Sequence, residues 1–480
     1  MPSVGGLLDY ARWRMRGRPV GSVVPGYDAF VASTAAIGPD HPNPDVAFSV
    51  VMPVHDPDPA QLSAAIGSVG SQTHERWELV LVDDGSKRDD VRAVLDTAAG
   101  HPQTMLVRND AARGIAEATN AGVERATAPW IVFVDHDDVM AAEALAWLST
   151  AAGGADVIYS DEDQLDPNGV RTYPFFKPAW SPRLLLGMNY INHLTAVRRT
   201  LIDGVGGLRE EFSGAQDHDL LLRCAAVTDR VAHVPMVLYH WRQAEGSVAA
   251  DPESKTWAVA PARTAIQEAV DRSPLRASVI DASSRLFRFR LEFEAPGGSV
   301  ELITETDTAA AHARATASPA DLLVFTAGTR VSPEAVNQMC GWLDDPDVRV
   351  VGPKVLDAGG ALASCGWIVQ HGTATPYGAG HANVPVPFLE TAREVRAVDG
   401  VGLTMRRDDY LAAGGFDPSR GLREAGVALS ARLAESGVAV AEPAVALNTA
   451  EAAGSFPMPI DSTDPYVSPH LSPHDGMTLR

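Results

Sequence analysis

Residues 48–86 read FSVVMPVHDPDPAQLSAAIGSVGSQTHERWELVLVDDGS. The opening FSVVMPV is a short apolar run rich in Val, and AQLSAAIGSVGSQ behind it carries its apolar residues at helical spacing. WELVLVDDGS reads as a second strand that ends in acids. The stretch therefore predicts a β-α-β unit. The alternation continues through TMLVRND (104–110), GIAEATNAGVERA (114–126), WIVFVDHDD (130–138) and AAEALAWLSTAA (141–152). Strands alternating with helices of this length predict an α/β fold, a mostly parallel Rossmann-like sheet with helices on both faces. Such sheets gather ligands at the carboxyl ends of their strands, which here carry Asp83, Asp84, Asp135 and Asp137.

The chain also repeats itself. ATAPWIVFVDHDD (126–138) aligns with ASPADLLVFTAGTRV (317–331), placing Phe133 on Phe325. AVRRTLIDGVGGL (196–208) aligns with TMRRDDYLAAGGF (404–416), and DLLLRCA (219–225) with ALSARLA (428–434). Two tandem copies of one domain are expected, the second truncated at its start, where nothing corresponds to the PVHDPDP turn. The expected organisation is an N-terminal arm (1–46), a first domain (47–250), a helical connector (251–276), a degenerate second domain (277–450) and a Pro-rich tail (451–480).

Composition narrows the function. A net charge of −22 over 480 residues, with Lys87, Lys177, Lys255 and Lys354 as the only lysines, repels phosphate polymers and argues against sequence-independent nucleic-acid binding. Cys224, Cys340 and Cys365 lie far apart and form no CxxC pair, which argues against a disulfide framework or structural zinc and for a reducing compartment. No apolar run approaches the ~18 residues of a membrane span, so the expected location is cytoplasmic. Arg12, Arg14, Arg16 and Arg18 beside Leu7, Leu8 and Trp13 fit either peripheral contact with the inner face of the plasma membrane or a helix packed on the first domain.

Four clusters carry chemistry. In extended geometry Asp135 and Asp137 point the same way and converge on one divalent ion, which would bridge a diphosphate. A helix N-cap explains the same acids equally well. Asp83 and Asp84 end a strand at a turn, where they either accept from a base or ribose or punctuate the turn. Asp217 and Asp219 open a helix, and there capping competes with a general-base role. His240 follows an apolar strand in VLYHWR, as a ligand or as a structural histidine.

Taken in order and spacing, SVVMPVHD, SQTHERWELVLVDDGS, ARGIAEATNAGVERATAPWIVFVDHDD, DVIYSDED, FKPAWSPRLLLGMNYI, AVRRTLIDGVGGLREEFSGAQDHDLLLR and VLYHWR resemble glycosyltransferase family 2 across about residues 48–250. These are inverting GT-A enzymes that use nucleotide-sugar donors, and the strings are similar to the bacterial cell-surface polysaccharide branch often called O-antigen or rhamnosyl transferases. The resemblance implies that Pro53, Val54, Asp56, Asp83 and Asp84 form the nucleoside-binding turn and strand end, and that Arg113, with Gly114, lies near the nucleotide. It implies Asp137 as the direct ligand of Mn2+ or Mg2+, Asp135 nearer the ribose, Asp217 as the catalytic base and His240 as a metal or diphosphate contact. His55-Asp56-Pro57 stands where Tyr-Asn-Glu is more usual, so the base of the nucleotide is not implied.

The implied reaction is single displacement from a nucleotide-diphosphate sugar onto a glycan or lipid-linked acceptor hydroxyl. A non-catalytic scaffold in a polysaccharide assembly complex is the alternative. A nucleotidyltransferase or a dehydrogenase would place a glycine-rich loop after the first strand, and PVHDPDP is not one. In the second copy Ala327 and Thr329 stand at the Asp135 and Asp137 positions, Gly426 and Ala428 at Asp217 and Asp219, and Asn448 at His240. That copy is expected to fold without chemistry and to stabilise, dimerise or shape the acceptor groove.

Overall fold

The computed structural model describes residues 26–34, 37–243, 256–282, 286–383, 387–450, 454–459 and 463–471. The arginines at 12–18 and the last proline of the tail, Pro473, lie outside these. The chain forms two compact units, one comprising the described residues up to Trp180 with Asn189–Ala265, the other Ser181–Met188 with Ile266 onward.

In the first unit the strands are β1 (Phe48–Val54), β2 (Trp77–Asp83), β3 (Thr104–Arg108), β4 (Trp130–Phe133), β5 (Val139–Met140), β6 (Val157–Leu165), β7 (Arg171–Phe175), β8 (Thr195–Arg198) and β9 (Val231–Arg242). They lie in the order β3-β2-β1-β4-β8-β6-β9-β5, with β7 on β6. The four strands of the β-α-β region are mutually parallel. Beyond them β8 enters antiparallel to β4 and β6, and β6 and β9 run parallel again. β1 reads as continuous Val-rich sequence because it lies buried in the middle of the sheet. The helix Ile115–Arg125 packs so close to it that a Cβ at Gly122 would fall 2.5 Å from Val51 Cγ1.

The second unit contains β10 (Ala277–Asp281), β11 (Phe289–Phe293), β12 (Val300–Ile303), β13 (Leu322–Phe325), β14 (Val348–Leu356), β15 (Leu362–Ser364), β16 (Trp367–Gln370), β17 (Thr373–Pro376), β18 (Arg393–Val395), β19 (Leu403–Arg406), β20 (Val438–Asn448) and β21 (Phe456–Pro457). Its main sheet runs β12-β13-β19-β14-β20-β18, with β15 on β14. This is the β1-β4-β8-β6-β9 path repeated, with β15 in the place of β7, and each pair keeps its parallel or antiparallel sense. Nothing among the described residues stands in the places of β2 and β3, so the truncation removes that edge of the sheet.

Residues 181–188 are threaded into this second unit. Ser181 Oγ and the Arg183 guanidinium bond the carboxylate of Glu394, Arg183 also pairs with Asp345, and the Phe289 N–H donates to the Gly187 carbonyl at 2.9 Å. A Cβ at Gly187 would sit 1.8 Å from Thr391 Cγ2, so only glycine fits there.

Candidate active site

The carboxyl ends of β1, β2 and β4 bring the predicted acids to one edge of the first unit. Val54 closes β1, and its carbonyl accepts the Asp84 N–H at 2.8 Å. Asp84 is buried and fully engaged, taking the N–H groups of Arg113 (2.9 Å) and Gly114 (3.0 Å) and Asn109 Nδ2 (2.8 Å). It thereby fixes the loop ahead of the helix Ile115–Arg125. Asp83 accepts the Ser86 N–H at 2.9 Å and pairs with Arg108 Nε at 3.3 Å. Gly85, at φ +73°, lies against the backbone of Ala111 and Ala112, where a Cβ would approach to 2.6 Å. Asp56 also has positive φ, 44°. Its carboxylate accepts the Arg88 and Lys87 N–H groups, which hold it below the ordinary range. Asp56, Asp83 and Asp84 therefore shape the rim through backbone N–H groups, and the exposed Arg113 guanidinium makes no hydrogen bond among the described residues.

The acids after β4 are arranged differently from the expectation. The strand stops at Phe133 and the chain turns at His136–Asp137, so the alternation assumed for Asp135 and Asp137 does not extend to them. Asp135 meets Asp138 and His193 instead, and these three offer ligand atoms within 4.8 Å of one another. Asp138 is wholly buried, accepting from Tyr239 Oη (2.7 Å) and the Arg242 N–H (2.7 Å). Burial first, then the neighbouring Asp137 and Asp135, push its carboxyl well above the usual range. His193 stacks on Tyr239 with ring centroids 4.7 Å apart, and its Nε2 lies 3.7 Å from Asp135 Oδ2. No Lys or Arg side chain pairs with Asp135 or Asp138 among the described residues. Two carboxylates and an imidazole without a cation fit a divalent metal of intermediate hardness. Asp137 instead accepts from Arg242 Nε through its carbonyl at 2.8 Å. Neither Asp137 nor Asp138 caps a helix, since the next one begins at Ala144.

His240, expected as a metal or diphosphate contact, lies on the neighbouring strand position. On β9 Tyr239 and Trp241 pack against His193. Alternate strand residues face opposite sides, so His240 points away from that cluster. Its Nδ1 meets Asp163 Oδ1 at 2.6 Å.

Asp217 lies in the first turn of the helix Gln216–Ala225 but caps nothing; its Oδ2 accepts from Asn189 Nδ2 at 3.1 Å. Asp219 is a structural acid. Burial alone would raise its carboxyl, yet the guanidiniums of Arg209 and Arg223 hold it below the ordinary range. The stretch Asn189–His193 thus touches both Asp217 and the metal-type cluster. Asn189, His193, Asp138 and Tyr239 were not singled out by spacing: Asp138 resembles a cap, and His193 reaches the cluster only through the fold.

The second copy has closed the corresponding space. A Cβ at Gly426, opposite Asp217 in the repeat, would fall 2.4 Å from the Gly400 Cα. Ala327 follows β13 where Asp135 follows β4, and Thr329 Oγ1 donates to the Asn448 carbonyl at 3.2 Å.

Residues 49–161, which hold the acids at the ends of β2 and β4, match the family model described as Glycosyl transferase family 2. The chain is 40% identical over 206 residues to the O-antigen biosynthesis protein RfbC of Myxococcus xanthus, covering 42% of this chain and 16% of that protein. It is 41% identical over 232 residues to the uncharacterized protein y4gI of Sinorhizobium fredii, covering 47% and 26% respectively. A PGL/p-HBAD biosynthesis glycosyltransferase of Mycobacterium bovis is 28% identical over 200 residues, covering 40% of this chain and 76% of that one. The chain therefore spans about a quarter or less of the first two relatives. Among solved structures, S. aureus TarS 1–349 in complex with UDP-GlcNAc superposes with a TM-score of 0.40 at 18% identity, over 47% of this chain and 67% of that one.

Proposed function

We propose that the first unit is an inverting glycosyltransferase that moves a sugar from a nucleotide diphosphate to a hydroxyl of a glycan or lipid-linked acceptor in cell-surface polysaccharide synthesis. Asp217 is the base. It takes the acceptor proton as the hydroxyl oxygen attacks the anomeric carbon and the nucleotide diphosphate leaves. Asp135, Asp138 and His193 would hold a divalent cation, Mn2+ or Mg2+, which supplies charge stabilisation to a diphosphate when bound. Pro53, Val54, Asp56, Asp83 and Asp84 shape the nucleoside rim, and the exposed Arg113 attracts an anionic donor. The observation that carries the reading is Asn189–His193, one short stretch whose side chains reach an uncapped carboxylate and a carboxylate-imidazole cluster without a cation.

The test is donor turnover across UDP-, dTDP- and GDP-sugars with Mn2+ or Mg2+, beside calorimetric titration of the nucleotide diphosphates. Asp217→Asn keeps nucleotide binding and loses transfer by about 10²- to 10⁴-fold, the contribution of a positioned base. Transfer within tenfold of wild type defeats the assignment. Absence of any metal-dependent nucleotide binding favours the scaffold alternative.

A further inference from the structure

Lys177 is fully buried, and no step of the proposed reaction uses it. It follows β7, and its side chain ties together two segments of the first unit. Nζ donates to Glu162 Oε2 on β6 at 3.1 Å and to the backbone carbonyl of His193. The main chain at Lys177 is fixed as well. Its N–H donates to Asp161 Oδ1 at 2.9 Å, and the same oxygen lies 2.8 Å from His233 Nε2 on β9. One residue beyond His193, the Leu194 carbonyl accepts the Ser160 N–H at 3.0 Å. A buried amine on the His193 carbonyl sets the plane of that peptide, and with it the direction in which the imidazole leaves the chain.

The sheet does not need this arrangement to form. Glu162 pairs in register with Tyr239 on β9 and with Phe175 on β7. In the second unit Val355 holds that place, in register with Leu447 on β20 and Ser364 on β15. Lys177 comes two residues after Phe175, and Gly366 two residues after Ser364. Gly366 has φ +84°, and a Cβ there would fall 2.6 Å from Val395 Cγ1, so no side chain fits. Counting back from the pairs Phe133 with Thr195 and Phe325 with Leu403 puts Val401 in the place of His193. The copy without Asp135 and His193 has therefore also lost the amine and its carboxylate. Desolvation offsets much of the attraction in a buried charge pair, so stability is a weak reason to keep one.

We propose that Lys177 is a positioning residue for the cluster of Asp135, Asp138 and His193, holding the His193 backbone so that its imidazole meets the two carboxylates; the inference rests on the reading of that cluster as a divalent-cation site. Glu162 in turn holds Lys177. Tyr239 stacks on one face of the His193 ring, and the backbone beneath the ring decides how near its Nε2, 3.7 Å away, comes to Asp135 Oδ2. Groups that orient a metal ligand in this way are worth about 10- to 100-fold in metal affinity.

The experiment is titration of the full chain with Mn2+, followed by electron paramagnetic resonance, beside denaturant unfolding without metal. Asp135→Asn marks which part of the bound Mn2+ belongs to the cluster. Lys177→Met weakens that part by about tenfold or more. The double variant Lys177→Met with Glu162→Leu leaves no carboxylate unpaired, unfolds close to wild type and weakens Mn2+ to the same degree, so the inference stays testable if the single variant does not fold. A residue that only supports the fold would shift unfolding and leave Mn2+ affinity unchanged. Wild-type Mn2+ affinity in the folded double variant overturns the inference while the cluster stands. Wild-type protein with no bound Mn2+ that Asp135→Asn removes overturns the cluster and the inference together.

Discussion

At the residue scale, the Nδ2–H of Asn189 orients the carboxylate of Asp217, the proposed base, at 3.1 Å. Asn189→Ala is therefore expected to lower transfer by about tenfold or more through misorientation of that carboxylate, while nucleotide binding is unchanged. Single-turnover transfer beside calorimetric titration of the nucleotide checks this, and undiminished transfer would show that Asn189 is packing only. Nothing in the local sequence indicates the contact, because Asn189 and Asp217 lie 28 positions apart and meet through the loop ahead of β8. Asp137 and Asp138 show the opposite failure. Two adjacent acids after a strand look alike in sequence, and which one turns inward depends on where the strand stops. Ending β4 at Phe133 gives Asp138 the buried position that a longer strand would have denied it.

At the element scale, the helix Ile115–Arg125 sits on β1 through Gly122, with Val51 and Val82 beneath. Those side chains are fully buried and have no space to yield into. Gly122→Ala favours the helix locally but overpacks the interface, and a cost of about 1–3 kcal/mol is expected. Denaturant unfolding of Gly122→Ala, Val51→Ala and the double variant checks it: the double variant should lose less than the sum of the singles. Elements were the most legible level of the sequence. The two alignments, Phe133 on Phe325 and Arg198 on Arg406, came from separate stretches, and one register satisfies both. Trp130 faces Arg198, and Leu322 faces Arg406, across the same antiparallel pair. A buried strand advertises itself by its apolar run, so tandem copies can be aligned through it. The direction of β8 could not be read this way, because a four-residue strand carries no signal for parallel or antiparallel pairing. The side faced by His240 was likewise hidden, since an isolated polar residue beside apolar ones fits either face of β9.

At the scale of the whole molecule, chain order and unit membership disagree at Ser181–Met188. These residues sit within the first copy in sequence and make their contacts in the second unit. Leu184 and Leu185 are fully buried there, and Arg183 is 9% exposed with Glu394 and Asp345 as its partners. Deleting residues 277–480 removes those partners and leaves two leucines and a guanidinium without their surroundings. Re-exposing each leucine forfeits about 1.5–3 kcal/mol. The shortened chain is therefore expected to melt well below the full chain and to bind a hydrophobic dye, although the cluster of Asp135, Asp138 and His193 and the Asn189–Asp217 contact all belong to the first unit. Its soluble fraction should then retain metal-dependent nucleotide binding, which separates loss of support from loss of the site. Replacing Arg183 and both leucines with polar residues in the shortened chain should recover part of the soluble yield. A shortened chain that melts with the full-length protein would show that the second copy supports nothing at this segment.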